Sequence, residues 1–483
     1  MSKLYIFAIG GSGSRVLRSL TMLLASGVEM KSDVVPMIID PDTNNGDLTR
    51  VVEEMRLYKS IRSRLTFDDN TKNKFFSTKI DSLNNDGEFL LPLVGTSGVN
   101  FDSYIGLNSM NRENQAMMKM LFSNANLSST MDIGFKGNPN IGSIVLSQFT
   151  QSSTYRTFET NFVDGDRVFI ISSIFGGTGA SGFPLLLKTM RTSNNSALVN
   201  CFIGAVSLLP YFNLKDNPKS SIKADSFVTK MKAALNYYEK NVTGNNTLNE
   251  MYYLGDQISG MPYDNCDGGS EQRNDAHLIE LLAALAAIDF ESKVYPANAT
   301  KKTGFHEFGL RTVPSDAVTF SDFGPETQNI IMKSLSQMAL LNSYLNNRTI
   351  SHRTSQFWAR EDNAKLGNSF FRSSFFNDYL SFKCSNTTNE IGFEHWIAQM
   401  SKNDKKFAPF AEDTTIAKTD GLSKIVGRPP HYGFWSKKGY DLIDKTLNDY
   451  YRRLPRGLNA ESSFFEIFYC TTNDICSNNL DIQ

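Results

Sequence analysis

Two short glycine-rich turns, set far apart in the chain, constrain the fold more than any other feature. The first, Gly10-Gly11-Ser12-Gly13-Ser14, follows the apolar run Leu4 to Ile9. After it, Val16, Leu17, Leu20, Leu23 and Leu24 share one helical face. The second, Gly176-Gly177-Thr178-Gly179-Ala180-Ser181-Gly182, follows the apolar run Arg167 to Ser173 and leads into a helix with Pro184 in its first turn. Each turn therefore reads as strand, glycine turn, helix. Glycine lets a backbone come close to an anion, and a helix start offers unpaired N–H groups and a favourable dipole. A further apolar run, Val34 to Ile39, ends at Asp40-Pro41-Asp42. Strand, helix and strand in that order make a βαβ unit and a parallel sheet.

The first turn alone admits three readings. It is a phosphate loop, a degenerate dinucleotide fingerprint with Val16 where the third glycine belongs and Asp40 as the ribose acid, or a plain tight turn. The second turn is unnecessary for a dinucleotide site but suits a longer phosphate chain. Neither turn contains GxxxxGK[ST], so no Walker lysine is available.

Residues 43–132 are polar and predict an insertion of helices and loops. The stretch Gly134 to Gly142 reads as a loop before a helix, Ala197 to Val206 as a strand, and Met251 to Leu254 as another. A strong helix is expected from about Asn274 to Phe290, with Leu278, Leu281, Leu282, Leu285 and Ile288 at helical spacing. Pro325 to Leu345 reads as helix, and the aromatic stretch Phe357 to Phe382 as a second core. The division that follows is a nucleotide-binding domain over 1–273, a central helix region over 274–300, and a smaller α+β domain over 301–483.

Composition narrows the partners. A net charge of −1 gives no general attraction to nucleic acid or anionic lipid, and Arg452, Arg453 and Arg456 fit a solvated helix end as well as a basic patch. No apolar run reaches membrane-spanning length, no amphipathic tail for tethering is visible, and no secretory signal is visible. The five cysteines are scattered without a CxxC, which supports neither a disulfide scaffold nor a zinc site. Neither nucleic-acid binding, membrane insertion nor a protein-held metal site is expected, and a cytoplasmic location is.

Four motifs in order resemble the tubulin/FtsZ family. Gly176-Gly177-Thr178-Gly179 resembles the GGGTGTG signature loop, with Phe175 in place of its first glycine, and Pro184 falls where FtsZ has a proline. Gly10 to Arg15 resembles the FtsZ GGGGGN loop. Gly137-Asn138-Pro139-Asn140-Ile141-Gly142 is similar to the FtsZ loop ANPEIG, which closes over the γ-phosphate. Asn274-Asp275 resembles the pair that reads guanine, although Asn274 as a helix N-cap competes with that role. The resemblance covers residues 1 to about 345.

It implies a tubulin/FtsZ-type α/β fold that binds GTP or GDP with Mg²⁺. Gly10, Gly11, Ser12, Gly13 and Ser14 would hold the α and β phosphates, and Gly176, Gly177, Thr178 and Gly179 the β and γ phosphates. Gly137 and Asn138 would close over the terminal phosphate, Asp40 and Asp42 would lie near phosphates and magnesium, and Asn274 or Asp275 would pair with guanine. It also implies a head-to-tail homopolymer whose GTPase site is completed across the subunit interface.

Three departures qualify this. The stretch after Asp42 is longer than in FtsZ and offers a surface, with the C-terminal domain, for an unidentified protein partner. Leu214 stands where FtsZ has its ribose-binding Glu, after Pro210-Tyr211-Phe212. The catalytic loop survives only as Phe320-Ser321-Asp322-Phe323-Gly324-Pro325-Glu326, leaving Asp322 and Glu326 as the catalytic candidates. The altered loop keeps open an alternative: a structural or signalling module that binds nucleotide and assembles but hydrolyses little.

Overall fold

The computed structural model describes the chain except residues 1, 84–88, 132–133, 136, 216–224, 246, 257–261, 267, 296–301, 308–309, 311–316, 361, 364, 386–388, 404 and 412–419, and the side chains of 225–226. Six strands form one parallel sheet: β1 (Lys3–Ile9), β2 (Asp33–Ile39), β3 (Arg167–Ser173), β4 (Ile203–Leu208), β5 (Glu250–Leu254) and β6 (Gly304–Glu307), in the order β2-β1-β3-β4-β5-β6. Leu4 to Ile9 are fully buried, as expected of a parallel strand covered on both faces. The protein is α/β.

Strand order sets the place of a ligand. From β1 the chain passes through helix α1 (Gly10–Ala25) to β2 on one side. From β3 it passes through α4 (Gly177–Arg191) towards β4 on the other. The helices between α1 and α4 in sequence include α2 (Gly46–Arg62) and α3 (Pro139–Leu146). Because β1 and β3 are paired neighbours whose connections diverge, a crevice opens at their carboxyl ends.

The polar stretch after residue 43 contains a core element that polar composition conceals. Helix α2 buries Leu48, Val51, Met55, Tyr58 and Ile61 against the rest of the domain and packs on α1. Beyond it, isolated parallel bridges Val34–Ile80 and Ile38–Leu90 continue the sheet past β2. Residues 84–88 and 132 of this stretch lie outside those described.

After α5 (Asp225–Tyr238) and β5 comes the central helix α6 (Leu278–Ser292). It is buried on nearly every face and touches α1, β3, β4 and β5. Phe290 explains Gly204 in β4, since a Cβ there would lie 2.6 Å from the Phe290 ring. The helix starts at Leu278 rather than Asn274. His277 caps it through Nδ1, which accepts the Ile279 N–H at 3.1 Å, while Glu280 accepts the His277 N–H at 3.0 Å. The expected strand from Ala197 begins later, because Ser196–Asn200 form a short helix before β4.

The remaining described chain is mainly helical: α7 (Pro325–Asn347), α8 (Ser374–Lys383), α9 (Phe393–Met400), α10 (Gly439–Arg452) and α11 (Ala460–Asn479). Among the described residues this part adds only the isolated bridges Val318–Phe407 and Phe410–Ile425. Trp358, Phe371, Phe376 and Tyr379 are buried with Phe464 and Phe468, the second core the aromatic stretch predicts. Helix α9 reaches back to the first core, where the Trp396 indole N–H donates to Ser19 in α1.

Candidate functional site

The crevice at the β1–β3 junction is a cleft enclosing about 970 Å³ out to its mouth. Its floor is made by both glycine turns. Gly10 sits at φ +74, the left-handed region that glycine tolerates, and a Cβ there would lie 3.5 Å from Thr178 Cβ. The two turns, remote in sequence, are thus in contact.

Both helices above them begin without a side-chain cap and with no acidic residue in the first turn. Gly10, Gly11 and Ser12 of α1 and Gly177, Thr178 and Gly179 of α4 all line the cleft. Two long helices therefore direct uncapped N–H groups and the positive ends of their dipoles at one space, an arrangement suited to an anion.

The glycines divide by task. A Cβ at Gly13 would lie 2.8 Å from the Ala8 carbonyl carbon, and one at Gly179 would lie 2.7 Å from the Ser173 oxygen. These two let each helix start rest on its own strand, and Gly13 and Ser14 are buried behind the cleft rather than lining it. Gly177 instead admits a third wall: its Cβ would be 3.1 Å from the backbone nitrogens of Gly137 and Asn138. Gly134, Phe135 and Gly137 line the cleft there, whereas Asn138 approaches it only through its backbone.

Pro184 lies inside α4, not in its first turn. Proline supplies no N–H to the carbonyl four residues back, that of Ala180. The Tyr238 hydroxyl of α5 donates to that carbonyl at 3.3 Å.

The opposite wall is acidic. Asp40 and Asp42 both line the cleft although each is nearly fully buried. Asp40 accepts the Asp42 N–H at 3.0 Å, and Asp42 accepts the Gly269 N–H at 2.6 Å. Burial raises the Asp40 carboxyl to about 7, and the charges of Asp42 and Asp47 push the same way against the Asp42 N–H bond. No group of three metal-binding side chains occurs among the described residues. A buried carboxylate pair beside an anion site does suit a divalent ion that takes its other ligands from phosphate and water. Asp40, raised by its burial, and Asp42 fit that donor set.

Sequence reasoning assigned no role to Arg15, which also lines the cleft. Its guanidinium donates to Glu280 at 2.5 Å, Asp47 at 3.3 Å and the Tyr211 hydroxyl at 2.7 Å, and lies over the Phe212 ring at 5.7 Å. Burial opposes its charge, but Tyr211, Glu280 and Asp47 keep it firmly protonated. One buried cation thus ties α1, α2, α6 and the chain after β4 together beneath the cleft. The signal in sequence was an arginine on the buried face of an otherwise apolar helix, which demands acidic partners.

Away from the glycine floor, Phe212, Leu214 and Phe227 form an apolar end, with Gln272 and Asn274 beside it. Phe212 packs against Phe175 at 5.7 Å and Tyr263 at 5.3 Å between ring centroids. Asn274 is held by Asp47, which accepts its backbone N–H at 3.0 Å and its side-chain amide at 3.2 Å. Asp275 does not line the cleft. Its carboxyl is half-buried and raised by that burial.

Asp322 and Glu326 lie outside the cleft. Asp322 closes a capping box, accepting the Thr319 N–H at 2.7 Å and hydroxyl at 2.9 Å, and Glu326 is exposed in the first turn of α7.

The fold is α/β, with a cleft suited to an anion at a topological switch point. No family model and no curated protein matches the chain. Solved structures similar to it include CetZ from Methanosaeta thermophila, at 16% identity over 53% of this chain and 46% of that one, with a TM-score of 0.26. Others are a GTPgS-bound protofilament of CetZ2 from Haloferax volcanii, at 12% identity, 61% and 60% coverage and a TM-score of 0.29, and an empty FtsZ dimer from M. jannaschii, at 15% identity, 60% and 53% coverage and 0.28. The chain thus spans about half the length of these structures.

Proposed function

We propose that the cleft binds a guanine nucleotide with magnesium, on a fold of the tubulin/FtsZ type, and that the chain assembles head to tail and hydrolyses GTP across the contact. The observation that carries this reading is the meeting of two uncapped helix starts on one floor, with Gly10 against Thr178. One such start suffices for a diphosphate bridge. Two, with the Gly137 loop closing the side, suit a triphosphate.

In this reading the N–H groups of Gly10 to Ser12 hold the inner phosphates, and those of Gly177 to Gly179 the outer ones. Asp40 and Asp42 hold the ion, which when bound neutralises phosphate charge. Phe212 packs on the base, and Asn274, fixed by one amide N–H on Asp47, offers its remaining N–H and its side-chain carbonyl to the guanine edge. Asp322 or Glu326 of a neighbouring copy orients water for attack on the terminal phosphorus, with the bridging oxygen leaving on GDP.

A second reading has its own support. Asp322 already spends carboxylate lone pairs on the Thr319 cap, which favours a nucleotide-dependent assembly module with little hydrolysis. Phosphate release measured against protein concentration separates the two. A specific rate that rises with concentration, and falls about a hundredfold in Asp322→Ala or Glu326→Ala without loss of GTP binding, supports the enzyme. Sedimenting assemblies that release almost no phosphate support the module, and a monomer at every concentration with every nucleotide rejects head-to-tail assembly.

A further inference from the structure

Among the described residues the most exposed aromatic side chains lie far along the chain, in Gly433-Phe434-Trp435-Ser436. Phe434 is 91% exposed and Trp435 93%. Ser436 closes a tight turn, its N–H donating to the Gly433 carbonyl at 3.0 Å and its hydroxyl to the same oxygen at 2.8 Å. The two aromatics occupy the central positions of that turn, where Gly, Pro, Asn and Asp are usual. Their rings meet edge to face at 5.1 Å.

The turn is a firm projection. The His431 N–H donates to the Asn479 carbonyl at 2.9 Å, and the Asn479 amide returns a bond to the His431 carbonyl at 2.8 Å, fixing one flank to the end of α11. The other flank runs into α10, whose first N–H, that of Gly439, donates to the Tyr432 hydroxyl.

The charge next to the tip in sequence is basic. Lys437 and Lys438 are exposed beside it, and the half-buried Arg428, earlier in the chain, donates to the Asp481 carbonyl at 3.2 Å. No carboxylate pairs with any of the three among the described residues. The acids near its flanks are already engaged, Asp420 by the Tyr432 hydroxyl, Asp481 by His431 and Asp441 by Arg348. The stretch from Gly421 to Tyr440 contains no acidic residue at all.

We propose that this turn is a peripheral anchor for an anionic lipid surface, with Phe434 and Trp435 entering the headgroup–acyl boundary and Lys437 and Lys438 facing lipid phosphates. Aromatic rings with a polar edge are suited to that boundary, and each basic residue near an anionic leaflet adds attraction. A projecting tip with two exposed lysines beside it matches a charged plane better than it matches a protein groove. The contact is interfacial, since no helix of the described residues is long and apolar enough to cross a membrane. It is a loop within the fold.

The test uses the chain's own reporter. Of three tryptophans, Trp358 and Trp396 are fully buried, so a lipid-induced fluorescence change comes from Trp435. The full chain is titrated with mixed phosphatidylcholine–phosphatidylglycerol vesicles and with phosphatidylcholine alone, with fluorescence and vesicle sedimentation read together. The expected result is a blue shift and co-sedimentation with the anionic vesicles, weakened by salt. Lys437→Gln with Lys438→Gln should lower the partition coefficient on the order of tenfold or more. Phe434→Ser with Trp435→Ser, read by sedimentation, should abolish it while leaving nucleotide binding intact. Absence of vesicle binding, binding that ignores lipid charge, or undiminished binding by either variant overturns the proposal. So does a blue shift that follows protein concentration without lipid, which would assign the tip to a second copy of the chain.

Discussion

Replacing Gly177 with alanine should damage the site while sparing the fold, and its neighbour Gly179 supplies the contrast. At Gly177 the added Cβ would lie 3.1 Å from the Gly137 and Asn138 nitrogens and the Phe135 Cβ. That is a few tenths of an ångström too close, against a loop that can recede outward. At Gly179 the Cβ would lie 2.7 Å from the Ser173 oxygen and 2.8 Å from its nitrogen, and a central strand cannot recede. Gly179→Ala should therefore cost about 1–3 kcal/mol of stability or more, as overpacking does. Gly177→Ala should cost less than about 1 kcal/mol in stability but weaken GTP about tenfold, or ~1.4 kcal/mol, by displacing the loop that closes over the phosphates. Urea denaturation and titration of a fluorescent GTP analogue on the same preparations measure both quantities. Wild-type affinity in a stable Gly177→Ala protein would remove the Gly137 loop from the site. Equal destabilisation by both substitutions would refute the division of tasks among the glycines.

Asp40 predicts a pH dependence. Its carboxyl is raised to about 7 by burial, so the nucleotide-free folded chain binds this proton more tightly than the unfolded chain. Stability should fall as pH rises from about 4 through 7 and level off above, by a few kcal/mol at most, and Asp40→Asn should flatten that slope while reducing the effect of magnesium on nucleotide affinity. Arg15→Met leaves Glu280 buried without its cation and Asp47 with only Arg50, at 3.8 Å, and should cost about 3–5 kcal/mol in urea denaturation. Adding Glu280→Gln to that variant should recover part of the loss, and an additive double mutant would contradict the network.

Much of the sheet was legible because β1, β2 and β3 are covered on both faces and so read as unbroken apolar runs. The two glycine turns were legible as strand-to-helix junctions because each stands between an apolar run and a helical pattern. Helix α2 was hidden by Arg50 and Glu54, polar residues that are nonetheless buried, Glu54 accepting from Arg18 of α1 at 3.1 Å. Long-range pairing of that kind has no local signature. The start of α6 was misplaced because His277 is an uncommon cap, whereas Asn274 looks like a common one yet spends its amide on Asp47. Arg15 was overlooked for a related reason: its partners come from residues far away in sequence. The Phe434–Trp435 tip escaped because its composition does not resemble a turn.

The central claim is that two sequence-distant glycine turns make one guanine nucleotide site. Calorimetric titration of the chain with GTP, ATP and NAD, each with magnesium, tests it most directly. The account predicts saturable binding of one GTP per chain, clearly weaker ATP because the base-edge donors and acceptors are mismatched, and no competition from NAD. It also predicts loss of GTP binding in a folded Gly177→Val protein. Equal affinity for GTP and ATP would contradict the base assignment. Tight binding of NAD alone, or full GTP affinity in Gly177→Val, would contradict the site itself.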